Sequence, residues 1–473
     1  GQQQALSGVA LLACQRRPSA RGFSTTRIPG QSYKEPAMFT LFRRSPTRHL
    51  ACYLLLVFTF GCNLENKSPL EEPGRPSSHT LTVHRGELQD ADEQLSRAAA
   101  WLWSQQAADG GWHSEQYALL KSGQAYTPFV LHILLDVPTS AYEPPVGGVK
   151  RALQFLRRQI NEQGVLGLAD PDVLEYPNYA TSYALRCFLQ AGGDEDQPLI
   201  KRMRNYLVNQ QYRGANGFGP AHLAHGGWGF GGVLKDGRPG HMDLAHTRRV
   251  LEALRLAGPI DTDVSERAKV FLGLVQRDPR DLRTQPSLQP DPLPDWDHAT
   301  RVSAGSISTI PFDGGFYFSP IVLNANKGRE TTDSAGSYFR SYASATCDGI
   351  LALLATGVDS QDSRIQAAAH WLQQHPNIHY PAGIPQEHPE PWGEAIHFYH
   401  LSVRAEVGSR LKLPGSWQAD IVHELASRQA SDGSYRNKMS ALMKEDDSLL
   451  ATALAVQALK HVTNQATVEP TGH

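Results

Sequence analysis

The sequence predicts an all-α protein, a single (α/α)6 toroid built of six helical hairpins. Three observations predict it. A short motif, Gln-x3-Gly-x-aromatic, occurs twice: Gln106, Gly110 and Trp112 in QQAADGGW, and Gln429, Gly433 and Tyr435 in RQASDGSY. Each copy closes an apolar helical run, which marks a repeated unit. Between the copies, apolar residues recur at three- and four-residue intervals in paired segments, as amphipathic helices require. In each pair the first segment is the more charged, and the second is apolar and rich in small residues.

The charged helices are expected at 93–106, 149–160, 199–211, 265–277, 363–374 and 417–429. Their apolar partners are expected at 125–137, 179–192, 242–258, 341–358, 394–408 and 447–462. Gly192, Gly258, Gly357 and Gly408 close four of these and read as left-handed C-caps. Six such pairs close naturally into a ring, polar-faced helices outside and apolar helices inside, parallel to one another. The motif glutamine would then bond backbone groups left unpaired at the end of an outer helix.

Charge is divided unevenly along the 473 residues. Residues 1–62 hold eight Lys or Arg and one acid, Glu35, while the remainder holds 37 basic and 46 acidic side chains. A body that acidic is a poor partner for a phosphate backbone, which argues against nucleic acid. Of five cysteines only Cys187 and Cys347 lie beyond residue 62, so no disulfide framework underlies the fold.

The stretch MFTLFRRSPTRHLACYLLLVFTFGC (38–62) joins a basic segment, Arg43, Arg44 and Arg48, to an apolar run from Leu50 to Phe60. That run is short for a membrane span and fits a secretory signal. It ends in TFGC, which resembles a lipoprotein signal with Cys62 as the lipidated residue. On this reading Met38 is the start, 1–37 an over-extension, 63–92 a flexible tether and 463–473 a tail. The protein is then expected in the cell envelope, lipid-anchored to the membrane and extracytoplasmic. RRPSARGFSTTR, Arg- and Ser-rich without acids, offers a mitochondrial alternative.

The Gln-x3-Gly-x-Trp spacing and the six-hairpin organisation resemble the prenyltransferase and squalene-oxidase repeat superfamily. Squalene–hopene cyclases and protein prenyltransferase β subunits belong to it. GGWGFGG (226–232), DLAHTRRVLEAL (243–254), PFDGGFYFSP (311–320) and 340–372 are further similar to bacterial repeat proteins one toroid long. The resemblance covers 93–462. It implies an isoprenoid or other apolar ligand in a central cavity, with terpenoid-cyclase-like chemistry as one outcome. A non-catalytic scaffold binding protein or peptide and a zinc-dependent prenyltransferase-like enzyme are the alternatives.

Parallel inner helices would bring their N-termini to one mouth, which favours anions there. Asp446 and Asp447 in KEDDSLL occupy the last two positions of the cyclases' acid motif, with Lys444 where its first aspartate belongs. They also read as a helix cap. Asp243 and His246, one turn apart, read as an acid–base pair or as a polar wall with a capping aspartate. Tyr183, Phe318, Tyr342, Trp392 and His397 are the expected ligand-lining residues. The prenyltransferase resemblance implies zinc on Cys347, Asp348 and His400, although neighbouring helical positions point about 100° apart. A buried structural cysteine is the other reading of Cys347.

Overall fold

The computed structural model of the chain describes residues 85–168, 174–281, 311–333 and 336–463. The expected targeting region, with Cys62, and most of the tail lie outside the described residues.

Among the described residues twelve helices of ten or more residues follow one another. They are α1 (Arg85–Ser104), α2 (Tyr126–Leu135), α3 (Gly148–Gln159), α4 (Pro177–Ala191), α5 (Gln197–Asn209) and α6 (Leu244–Leu256), then α7 (Thr262–Gln276), α8 (Ala343–Ala355), α9 (Ser363–Gln374), α10 (His397–Leu411), α11 (Trp417–Ala426) and α12 (Ser448–Thr463). The even-numbered helices pack each on the next, and α12 packs back on α2, closing a ring. The odd-numbered helices lie outside it. α3, α5, α7 and α11 each bridge two consecutive inner helices, and α1 covers α12. The chain is an α/α toroid.

Burial follows the sequence pattern. Outer α3 buries Ala152, Leu153, Phe155 and Leu156 and turns Lys150 and Arg151 outward. Inner α8, ASATCDGILALLA, is buried on every side over most of its length, as a helix walled in by neighbours must be.

The repeated motif acts as a clamp between consecutive hairpins. Gln106 Nε2 donates to Gly110 O at 3.0 Å and to Gly148 O, at the start of the next outer helix, at 2.9 Å. Gln429 repeats this with Gly433 O at 3.1 Å and Gln94 O of α1 at 3.0 Å. Two further copies are present. Gln211 bonds Gly226 O and Val264 O, and Gln276 bonds Gly314 O and Arg364 O. Gly226 shows why glycine is needed: its φ is +89°, and a Cβ there would stand 1.8 Å from Arg267 O. Beyond each glycine, a main-chain N–H donates to a threonine in the first two turns of the inner helix. Trp112, Leu166, Trp228, Phe316 and Tyr435 bond Thr127, Thr181, Thr247, Thr346 and Thr452 at 2.9–3.1 Å. This shared register sets the inner N-termini at one end of the ring.

Four details differ from expectation. α1 begins at Arg85, inside the stretch expected as a tether, and already buries Ala91 and Leu95. Gly192 follows α4 in extended backbone rather than a left-handed cap. Gly408 lies inside α10, where a Cβ would meet the Trp417 indole at 2.7 Å, so close helix packing rather than capping requires it. The loop before α8 carries an antiparallel pair, β1 (Glu330–Asp333) and β2 (Gly336–Phe339). No helix among the described residues is long and apolar enough to cross a membrane.

Candidate functional site

The first turn of α6 builds the most polar part of the mouth. Asp243, fully buried, is the N-cap: its Oδ1 accepts from His246 N at 2.9 Å. Its Oδ2 lies 2.9 Å from both His241 Nε2 and His246 Nδ1, so two imidazoles donate to one carboxylate. Burial alone would raise the Asp243 carboxyl, but His246 and His241 outweigh it and hold it below the usual carboxylate range. With Nδ1 committed, His246 turns a buried Nε2 that meets no partner among the described residues. Tyr179 and Phe230 flank that imidazole, ring centres 5.8 and 6.1 Å away.

Aromatic residues continue across the mouth. Lys327 Nζ lies 5.4 Å over Phe318 and 4.9 Å over Trp392, joining the two loops that precede α8 and α10. Burial pushes the Lys327 ammonium down to about 8, while Asp243 and Asp348 act the other way. Tyr342 caps α8 and is buried beside the same two carboxylates, and Tyr183 stacks edge-on against Tyr179 at 4.9 Å.

Below the mouth the axis is charged. Arg248, fully buried, donates to Glu252 at 2.6 Å, to Asp348 at 2.8 Å and to Glu406. Tyr399 donates to Asp348 at 2.8 Å. Arg186 donates to Glu252 at 2.9 Å, Gln457 to Glu406 at 3.3 Å, and Gln190 and Lys460 to Asp136. These bonds pass through all six inner helices and return to the first. The ring therefore holds a belt of ion pairs where an apolar interior was expected. In DLAHTRRVLEAL the two arginines were the available signal, since the other inner segments carry no such cation pair.

Each acid of KEDDSLL accepts a hydrogen bond from another hairpin. Glu445, whose carboxyl burial pushes up to about 8, accepts from Phe398 N at 2.9 Å and Tyr399 N at 2.8 Å and so caps α10. Asp447 caps α12 through Leu449 N at 3.0 Å and accepts from Ser114 Oγ at 2.5 Å. Burial holds its carboxyl above the usual range. Asp446 accepts from Tyr117 Oη. Lys444 stands in left-handed backbone, φ +61°, with its ammonium 5.0 Å over the Tyr117 ring. Ser114, Tyr117 and Glu445 were not singled out from sequence, because their partners lie on other hairpins.

The zinc set does not come together. Asp348 faces the axis, bonded to Arg248 and Tyr399, whereas the Cys347 thiol lies beside Arg404 on the next helix. The hundred-degree step between helical neighbours separates them. His400 is fully buried, and neither ring nitrogen is hydrogen-bonded to any described residue. No three His, Cys, Asp or Glu side chains among the described residues are grouped to hold a metal ion. His397, expected at the ligand, instead pairs with Glu424 of α11 at 3.2 Å.

No protein-family model matches the chain, and no curated protein matches it in sequence. Solved structures of similar fold include the type II terpene cyclase MstE from Scytonema in complex with geranylgeranyl dihydroxybenzoate. It is 14% identical, with 81% of this chain and 99% of that chain covered and a TM-score of 0.48. A variant α-1,6-mannanase of Salegentibacter sp. in complex with α-1,6-mannotriose is 10% identical, covering 79% and 99%, at 0.44. A protein from Actinoplanes is 14% identical, covering 79% and 99%, at 0.43.

Proposed function

We propose that this toroid binds a small molecule with an apolar, isoprenoid-like body at the loop end of its axis. One observation carries the reading. Aromatic side chains from separate parts of the chain, Tyr179, Phe230, Phe318 and Trp392, flank His246 or Lys327 at that end, and Tyr183 packs on Tyr179. Aromatic walls with a few fixed polar groups are the usual make-up of a small-molecule site. Asp446 and Asp447 are occupied as acceptors of Tyr117 and Ser114, and Asp447 also as a cap, so binding rather than turnover is the function proposed. The protein is proposed to work on the outer face of a membrane, held by a lipid on Cys62.

The test is equilibrium binding of prenyl alcohols of increasing length, read by calorimetry. Affinity is expected to rise with chain length and to fall at least about tenfold in Phe318→Ala, the loss of about 1.4 kcal/mol expected when an aromatic contact is removed. Absence of binding at every length would overturn the reading.

A further inference from the structure

We infer that the ligand carries a carboxylate, and that Arg249 receives it on the axis of the ring. The inference rests on the reading of the mouth as a small-molecule site. It starts from an imbalance in one side chain. Arg249 is 2% exposed, and its Nη1 donates to Glu252 at 3.1 Å. Its Nε and Nη2 are buried and meet no acceptor among the described residues. A guanidinium buried with two silent donors is costly, because those N–H groups have given up water for nothing.

The two donors form one edge, and the molecule shows elsewhere what that edge accepts. In Arg157 the Nε and Nη2 groups hold the two oxygens of Asp196 at 2.7 and 2.6 Å. In Arg364 the same pair holds Asp362, both at 2.9 Å. A planar carboxylate matches this fork with two parallel bonds. In Arg249 that edge meets no carboxylate of the described residues. The guanidinium lies 5.7 Å over the Tyr183 ring of α4 and interacts electrostatically with Tyr399 of α10. Those helices are separated on each side by two other inner helices, so a group close to both stands near the centre.

The surroundings belong to the same site. His246 and Arg249 are three residues apart and share a face of α6, and Tyr179 and Tyr183 are four apart and share the facing side of α4. Across the gap the Tyr179 ring pairs with the His246 ring, and the Tyr183 ring with the Arg249 guanidinium. The unpartnered Nε2 of His246, one turn away on the same helix, adds a polar atom for a ligand hydroxyl. The acid group would thus sit deepest, with the apolar body among the aromatic residues above it.

The experiment compares geranylgeranoic acid, geranylgeraniol, geranylgeranyl diphosphate and benzoate as probes, in the wild type, Arg249→Lys and Arg249→Met. Folding of each variant is checked by its unfolding transition. Arg249→Lys keeps the charge beside Glu252 and removes the fork. The acid is expected to bind the wild type at least about tenfold more tightly than the alcohol, and both variants should bring the two within about twofold. Benzoate should raise the melting temperature of the wild type and leave Arg249→Lys unchanged. Equal binding of acid and alcohol to the wild type would overturn the carboxylate while leaving the apolar mouth standing. Stabilisation by benzoate alone would overturn the apolar body and keep the carboxylate. Preference for the diphosphate would overturn the assignment to a carboxylate, and binding of no probe would overturn both.

Discussion

Gln429 donates its side-chain amide to the main-chain carbonyl of Gln94 at 3.0 Å, joining residues 335 apart. The same amide bonds Gly433 O, so one side chain fastens the last outer helix, its own turn and the first outer helix. Truncation to alanine removes both bonds. Gln429→Ala is expected to lower unfolding stability by about 2 kcal/mol, about 1 kcal/mol for each bond. Gln106→Ala, which breaks the equivalent pair between α1 and α3, should cost a similar amount in urea titration. A loss below about 0.5 kcal/mol in both would show that the clamps decorate the ring without holding it.

The belt makes a second, larger expectation. Arg248→Met leaves Glu252, Asp348 and Glu406 facing one another without the guanidinium that now bonds all three. Removing one partner of a buried ion pair costs about 3–5 kcal/mol. Adding Asp348→Asn to that variant should restore part of the loss, and a double-mutant cycle reads the coupling. Strict additivity would remove Arg248 as the hub.

Buried imidazoles give the fold an acid limit. Burial holds His132 down to about 3 and His461 down to about 4, and it holds His400 well below its ordinary value. Each stays neutral in the fold and takes up a proton on unfolding once the pH is below about 6.5. The unfolded state then binds more protons, so stability falls as pH falls, by about 1.4 kcal/mol per pH unit for each group. In His400→Leu the slope between pH 6.5 and 4.5 should be shallower by one such increment. Urea midpoints at half-unit steps would reveal it, and an unchanged slope would contradict it.

Lipid attachment is checked apart from the fold. With the full chain expressed in a bacterium and fed a labelled fatty acid, label should enter the wild type and not Cys62→Ser. A mature N-terminus mapped by mass spectrometry well away from Cys62 would count against the anchor.

The fold was legible because it depends on local periodicity, which marks buried faces wherever the partner happens to lie. The clamps were half legible. Gln106 and Gln429 keep the four-residue step to glycine, but insertions separate Gln211 from Gly226 and Gln276 from Gly314, and a fixed spacing cannot find them. The site was legible only where one turn contains it, as in Asp243 and His246. Arg249 needed three dimensions. Its role follows from which acceptors reach it, and Glu252 reaches one nitrogen out of three. The acids of KEDDSLL misled for the same reason, since Glu445 serves a helix it does not belong to.

The bond from Gln429 to Gln94 also bears on how the chain becomes a ring. It uses the same chemistry as the three other clamps, so the meeting of first and last hairpins is built like those three junctions. A polypeptide opened instead in the turn between α2 and α3, where Val146 is fully exposed, and joined from α12 to α1 by a linker would have the same neighbours throughout. In the natural order the joint between α11 and α1 spans the greatest chain length and carries the largest closure entropy, so it is expected to form last. Moving the opening would move that slow step to another junction. The order of the hairpins along the chain therefore governs the path by which the ring assembles, and leaves the ring itself unchanged.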